Sequence, residues 1–165
     1  MSDRTVAERL QPSLLDRLTD EAPGEQTETR ASRVIDVARL RDIVQRDLAW
    51  LLNTQANTDL YETGHTPNAA RSVLNYGVRP TSGDYSTIYR AEEIRRAILK
   101  AIETFEPRLV KGSTTVELRP TERGGEMYIA FDIRSDLWAH PMPLELYLRS
   151  RVDLTTGEVE MERAS

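Results

Sequence analysis

With 165 residues the chain has the length of about one domain, and a 39% hydrophobic and 30% charged composition allows a packed core under a strongly ionic surface. Its net charge is -5, with acids and bases mixed along the chain, so there is no long basic stripe to track a phosphate backbone and nucleic acid is not expected as a partner. Cysteine is absent, which excludes disulfides, thiol catalysis and thiolate metal sites, and no apolar run approaches the ~20 residues that span a bilayer. Lysine occurs only at Lys100 and Lys111, the rest of the 22 basic residues being arginine. The flat arginine fork suits ion pairs at protein interfaces, although genomic base composition produces the same bias. Met1 to Leu10 is charged and lacks an apolar signal core, which points to the cytoplasm.

Residues 1–12 read as loosely held. Ser13-Leu14-Leu15-Asp16 has the form of a helix cap, and Leu14, Leu15 and Leu18 give one short apolar face over Ser13–Thr19. A helix this short is marginal alone and must dock, on its own domain or on a partner. Asp20 to Ser32 has no periodic apolar positions and reads as a linker. A long helix follows from about Arg33 to Asn53. Val37, Leu40, Val44, Leu48, Leu51 and Leu52 make its stripe, Ile43 widens it, and Asp42 and Arg46 are spaced to pair across one turn. Trp50 falls at the stripe's edge, as a core-edge residue or a binding platform. Gln55 to Asn68 is polar and holds His65; Ser72 to Val78 is a short buried-looking piece; Arg79 to Asp84 has turn chemistry. The second long helix spans roughly Ala91 to Phe105, with Ile94, Ala97, Ile98, Ala101, Ile102 and Phe105 on one face. Pro107 disfavours helix at Glu106 and forces a bend there.

Strands come next. Thr114–Arg119 places Val116 and Leu118 on one face, Thr121–Glu126 is a hairpin loop, and Met127–Ile133 alternates with Met127, Ile129, Phe131 and Ile133 together. Ser135–Pro143, which includes Trp138 and His140, reads as a connection. Leu144, Leu146, Leu148, Val152 and Leu154 then share even numbers while charged residues take the odd ones, so a long two-faced strand is expected; a turn at Thr155-Thr156-Gly157 leads to a last strand over Glu158–Glu162. The fold class is therefore α+β, with N-terminal helices packed on a C-terminal antiparallel β-sheet. A terminal edge strand exposes backbone groups, which charge protects or a partner strand uses.

Chemistry is sparse. The two histidines lie in loops, and neither a nucleophile motif, a phosphate loop nor a metal-ligand spacing occurs. A glycosidase would need two carboxylates, one kept protonated, and Glu106 with Asp132 or Glu117 is the available set. Arg108 argues against it, because a nearby guanidinium favours the charged carboxylate. Glu106 and Arg108 therefore have two readings: an internal salt bridge tying the helix end to the first strand, or a pair projecting from the proline bend into a partner's charged groove.

Five blocks in order resemble the TssE family, the baseplate wedge component of type VI secretion systems, itself similar to a contractile-phage baseplate wedge protein long labelled lysozyme-like. They are Ser13-Leu14-Leu15-Asp16-Arg17-Leu18, Arg46 to Thr54 with its Leu-Leu-Asn-Thr end, Ser72-Val73-Leu74-Asn75-Tyr76-Gly77, Phe105-Glu106-Pro107-Arg108-Leu109, and Thr156-Gly157. The resemblance implies a structural baseplate subunit without enzymatic activity, cofactor or metal. It implies a wedge contact with TssF and TssG through Glu106, Pro107 and Arg108 and through Leu14, Leu15 and Leu18, with TssK as a further neighbour. It also implies strand addition to the TssB/TssC sheath through Leu144, Leu146, Leu148, Val152, Val159 and Met161, which templates the first sheath ring. It favours the projecting pair and the partner-using edge over the readings that spacing alone prefers. The expected organisation is a flexible segment 1–32 with a docking helix at 13–19, then a wedge domain at 33–165. The expected place is the bacterial cytoplasm, at the inner face of the envelope, without membrane insertion.

Overall fold

The computed structural model describes residues 13–20, 23–24, 36–57, 66–79, 87–119, 128–138 and 143–163. The expectations for residues 1–12, most of the linker, His65, His140, Met127 and the loop 121–126 lie outside these. The chain divides into two units, Met1–Val44 and Gln45–Ser165.

In the first unit, α1 (Leu14–Leu18) is capped by Ser13, whose Oγ accepts from the Asp16 N–H at 3.5 Å and donates to the Asp16 carboxylate. Leu14, Leu15 and Leu18 are all exposed. The next helix, α2 (Val37–Leu52), begins where the Asp36 carboxylate accepts the Arg39 N–H at 2.7 Å, and it continues across the boundary into the second unit. Leu40, Ile43 and Val44 are buried on the first-unit side.

In the second unit α2 buries Leu48, Leu51 and Leu52, while Trp50 is half exposed beneath the Arg46 guanidinium at 4.8 Å. After α2 the chain makes a short parallel bridge between Gln55 and Val78. Gly77 sits there at φ 125, and a Cβ on it would lie 2.3 Å from the Thr54 carbonyl oxygen. Only a residue without a side chain fits that approach. Between these, α3 (Pro67–Ala70) and a 3-10 turn (Val73–Asn75) follow. Then α4 (Thr87–Phe105) begins earlier than Ala91 and buries Ala91, Ile94, Ile98, Ala101 and Ile102, the apolar face that the spacing marks.

The sheet is antiparallel in the order β1-β2-β3-β4, with β1 Thr115–Arg119, β2 Tyr128–Leu137, β3 Leu144–Asp153 and β4 Val159–Arg163. The α+β architecture is thus N-terminal helices and a C-terminal four-stranded antiparallel sheet. Register places Val116 against Ile133, Ile133 against Leu148, and Val152 between Ile129 and Val159, so the apolar residues of all four strands share one face. The buried positions Ile129, Phe131, Ile133, Ser135 and Leu137 continue two residues at a time along β2. Ser135–Leu137 is therefore strand, not connection. Its polar sequence hides this; it is held by β3 on one side and by Val110 and Leu109 on the other. The buried Ser135 hydroxyl is satisfied by those of Thr114 and Ser113 at 2.9 and 3.0 Å. Leu118, on the edge strand, is 52% exposed although it lies on the inward face.

Candidate functional site

The end of α4 is stitched to the sheet. The Glu106 N–H donates to the Ile102 carbonyl at 2.9 Å, the last helical bond, and Pro107 then turns the chain. Beyond the turn, Trp138 N–H donates to the Arg108 carbonyl and Val110 N–H to the Asp136 carbonyl, both at 2.8 Å. Residues 108–110 thereby act as a short extra strand beside the far end of β2. With the backbone fixed at both ends, the Glu106 and Arg108 side chains have little freedom.

Glu106 points inward, with 5% of its side chain exposed. It accepts from Arg108 Nε at 2.6 Å, from Arg108 Nη2 at 2.5 Å and from the Arg108 backbone N–H at 3.1 Å. Arg108 Nη2 also donates to Asp47 on α2 at 2.8 Å, and Asp47 in turn holds Arg46 at 2.7 Å. Burial works against the Arg108 charge, but the hydrogen bonds and charges of Glu106 and then Asp47 outweigh it and push the guanidinium above its ordinary range. Tyr76 closes the cluster: its ring meets Phe105 edge-on at 5.4 Å, and its hydroxyl is raised by burial and then by the Asp47 and Glu106 charges.

This corrects the expectation that both charged side chains project outward. Glu106 is an internal acceptor, Arg108 keeps 29% of its side chain exposed, and Pro107 is exposed. Sequence reasoning missed Asp47, which lies 61 positions from Arg108. Its only signal was an acid on the polar side of α2 inside a block that matched the family. Glu106 is committed as an ion-pair acceptor, which leaves the general-acid reading without support. Asp132 accepts from the Tyr147 hydroxyl at 2.8 Å and lies opposite Glu117 in the β1–β2 register.

The second candidate region is the sheet's end. Leu146, Leu148 and Val152 are buried and Leu144 half-buried on β3, which is an inner strand paired with both β2 and β4. Their side chains are core. At this end of the sheet an added strand would pair with the outer edge of β4, whose outward backbone groups include those of Val159 and Met161. Three of those groups already have partners, from Gln45 on α2 and from Asn53 just past its end. Asn53 Oδ1 accepts the Val159 N–H at 2.8 Å, Asn53 Nδ2 donates to the Val159 carbonyl at 2.9 Å, and Gln45 Nε2 donates to the Met161 carbonyl at 3.3 Å. Next to this clasp is a cavity of about 360 Å³ with Leu52, Ile94, Ile98, Val152 and Val159 in its wall and Arg79 and Arg90 at its polar side.

No helix among the described residues is long and apolar enough to cross a membrane. No curated protein and no solved structure matches the chain. The family model of the baseplate wedge protein gp25 matches residues 38–142, from the start of α2 to the approach to β3. The match covers more than half of the chain, so the protein belongs to the baseplate wedge protein gp25 family, the family of TssE and of structural baseplate subunits of contractile machines.

Proposed function

We propose that this chain joins the wedge complex to the first ring of the tail sheath in a type VI secretion machine and templates that ring by strand addition at β4. The supporting observation is the sheet order, which leaves β4 as a terminal strand with Val159 and Met161 turned to its open side. Backbone hydrogen bonds there would supply affinity, and the alternation of side chains would set register. The wedge contact, with TssF and TssG and with TssK nearby, is carried by Pro107 and the exposed edge of Arg108, held from behind by Glu106. The short helix of the 1–32 segment contributes Leu14, Leu15 and Leu18, which are exposed. The 33–165 domain then works at the cytoplasmic face of the envelope with TssB/TssC as its sheath partners.

The test is co-expression of the full chain with wedge and sheath proteins. Met161→Pro removes a donor from the open side of β4 without touching its bonds to β3, since the Met161 carbonyl that Gln45 holds faces outward and its N–H faces the same way. Sheath attachment should be lost while TssF and TssG still co-purify. Charge reversal at Arg108 should do the opposite. Sheath attachment that survives Met161→Pro refutes strand addition at this edge.

A further inference from the structure

We propose that Asn53 and Gln45 are placeholders on the open edge of β4, and that an extended partner strand with an apolar residue opposite Val159 docks by displacing them. The proposal rests on the strand-addition reading above and adds what that reading lacks: what the edge holds before the partner arrives, and which side chain the partner brings.

The Asn53 carboxamide carries an acceptor oxygen and two N–H donors, and the oxygen and one of these N–H groups lie side by side, as the C=O and N–H of a single strand residue do. It uses both on one residue, accepting from the Val159 N–H and donating to the Val159 carbonyl. That two-bond ring is what a hydrogen-bonded residue of a neighbouring antiparallel strand would form. Asn53 therefore imitates one residue of a fifth strand. The second amide hydrogen of Asn53 goes to the Ala49 carbonyl at 2.9 Å, so its own helix aims it. Gln45 covers the next outward carbonyl, Met161, through a longer contact of 3.3 Å.

Exchange of these amides for a strand is nearly even in hydrogen bonds. Each bond lost to a side chain is replaced by one to a main chain, and Asn53, an exposed residue, turns to water while keeping Ala49. The surplus that favours the strand comes from the cavity. Residues facing each other across an antiparallel pair have side chains on the same side of the sheet. Val159 is buried on the inward side, where Leu52, Ile94, Ile98 and Val152 form the cavity wall. The partner residue opposite Val159 must aim there as Asn53 leaves, and an apolar side chain fits it. The cavity thus reads one position of the strand and fixes its register, since a slip by one residue would turn a polar neighbour into it.

The experiment uses the full chain and TssB/TssC sheath subunits as the probe. Asn53→Ala should tighten the measured Kd about fivefold, and Gln45→Ala about twofold, because each removes a competitor for the edge. In the free protein, Asn53→Ala should also speed hydrogen exchange at the Val159 amide, and the probe should restore protection. Met161→Pro is the control for the underlying reading. If it abolishes binding and Asn53→Ala leaves Kd unchanged, strand addition stands and the placeholder role is refuted. If Met161→Pro binds normally, the strand-addition reading itself fails. Weaker binding by Asn53→Ala, with unchanged circular dichroism, would make Asn53 a direct contact and overturn the proposal. Self-association of Asn53→Ala in place of sheath binding would put a second copy on the edge and overturn the assigned occupant.

Discussion

Arg108→Met tests the corner most directly. The change keeps much of the aliphatic stem and removes the guanidinium, which makes three side-chain hydrogen bonds: two to Glu106 at 2.6 and 2.5 Å and one to Asp47 at 2.8 Å. Charge-assisted bonds contribute roughly 1.5–3 kcal/mol each, but these share one group and do not add. The better bound is the cost of leaving a buried charge without its partner, about 3–5 kcal/mol. Glu106 is 5% exposed and keeps only the Arg108 backbone N–H, whereas Arg108 itself is 29% exposed, so the lower end applies, about 3 kcal/mol. For a chain of this size that is a fall in Tm of roughly 6–12 °C. Urea denaturation should show a lower midpoint with an unchanged slope. Adding Glu106→Gln to Arg108→Met should recover part of the loss, because the amide no longer buries a charge. A loss below about 1 kcal/mol, or strict additivity in the double variant, would refute the buried-pair account, since that is how an exposed ion pair behaves.

Two glycines should respond differently to alanine. Gly77→Ala puts a Cβ 2.3 Å from the Thr54 carbonyl oxygen at φ 125, so backbone must shift and the Gln55–Val78 bridge must open, at about 3 kcal/mol. Gly157→Ala, at φ 78 with open space around it, should cost only about 1 kcal/mol; equal losses in thermal unfolding would contradict the difference. On α4 the Arg95 hydrogen bond, and then the Arg95 and Arg96 charges, pull the Glu92 carboxyl from 4.5 to about 2. A depressed acid stabilises the fold above its unfolded value and loses that contribution as pH falls through the folded one. The stability gap between wild type and Glu92→Gln should therefore be full above pH 4.5 and close toward pH 2; a gap constant over that range would refute the ion-pair assignment.

The parts of the fold that could be read in advance are those where each residue faces a single environment. On β3 every even position from Leu146 to Val152 meets the core and Glu145, Arg149 and Arg151 meet solvent, so period two is visible without coordinates. The apolar face of α4 was legible for the same reason. Ser135–Leu137 was not, because its strand character comes from pairing with two other segments, Leu144–Leu146 and residues 108–110, rather than from its own polar composition. Asp47 and Asn53 escaped notice on the same grounds. Asp47 looks like an ordinary polar residue of α2 and Asn53 like one that closes it, and the role of each appears only when Arg108 or Val159 is brought against it. The Glu-Pro-Arg corner was found from the proline, but its orientation was not, since a bend fixes where the chain turns and leaves open which side chain faces in.

That orientation changes what a mutation at the corner can report. A partner approaching it meets Pro107 and the open part of Arg108; Glu106, buried behind them, is a positioning residue. Glu106→Gln keeps an acceptor for Arg108 Nε and for the Arg108 N–H while removing the charge. It should lower stability by about 1–2 kcal/mol, since two bonds survive in weakened form. Below its melting transition it should bind the wedge proteins nearly as well as wild type, because the groups they touch are unchanged. Arg108→Met should lose wedge binding at temperatures where it is still folded, and Asp47→Asn should lie between the two. Wedge co-purification at low temperature, with folding followed by circular dichroism, separates the cases. If Glu106→Gln abolishes binding while its fold is intact, the carboxylate must reach the partner, and the inward orientation of Glu106 does not describe the assembled state.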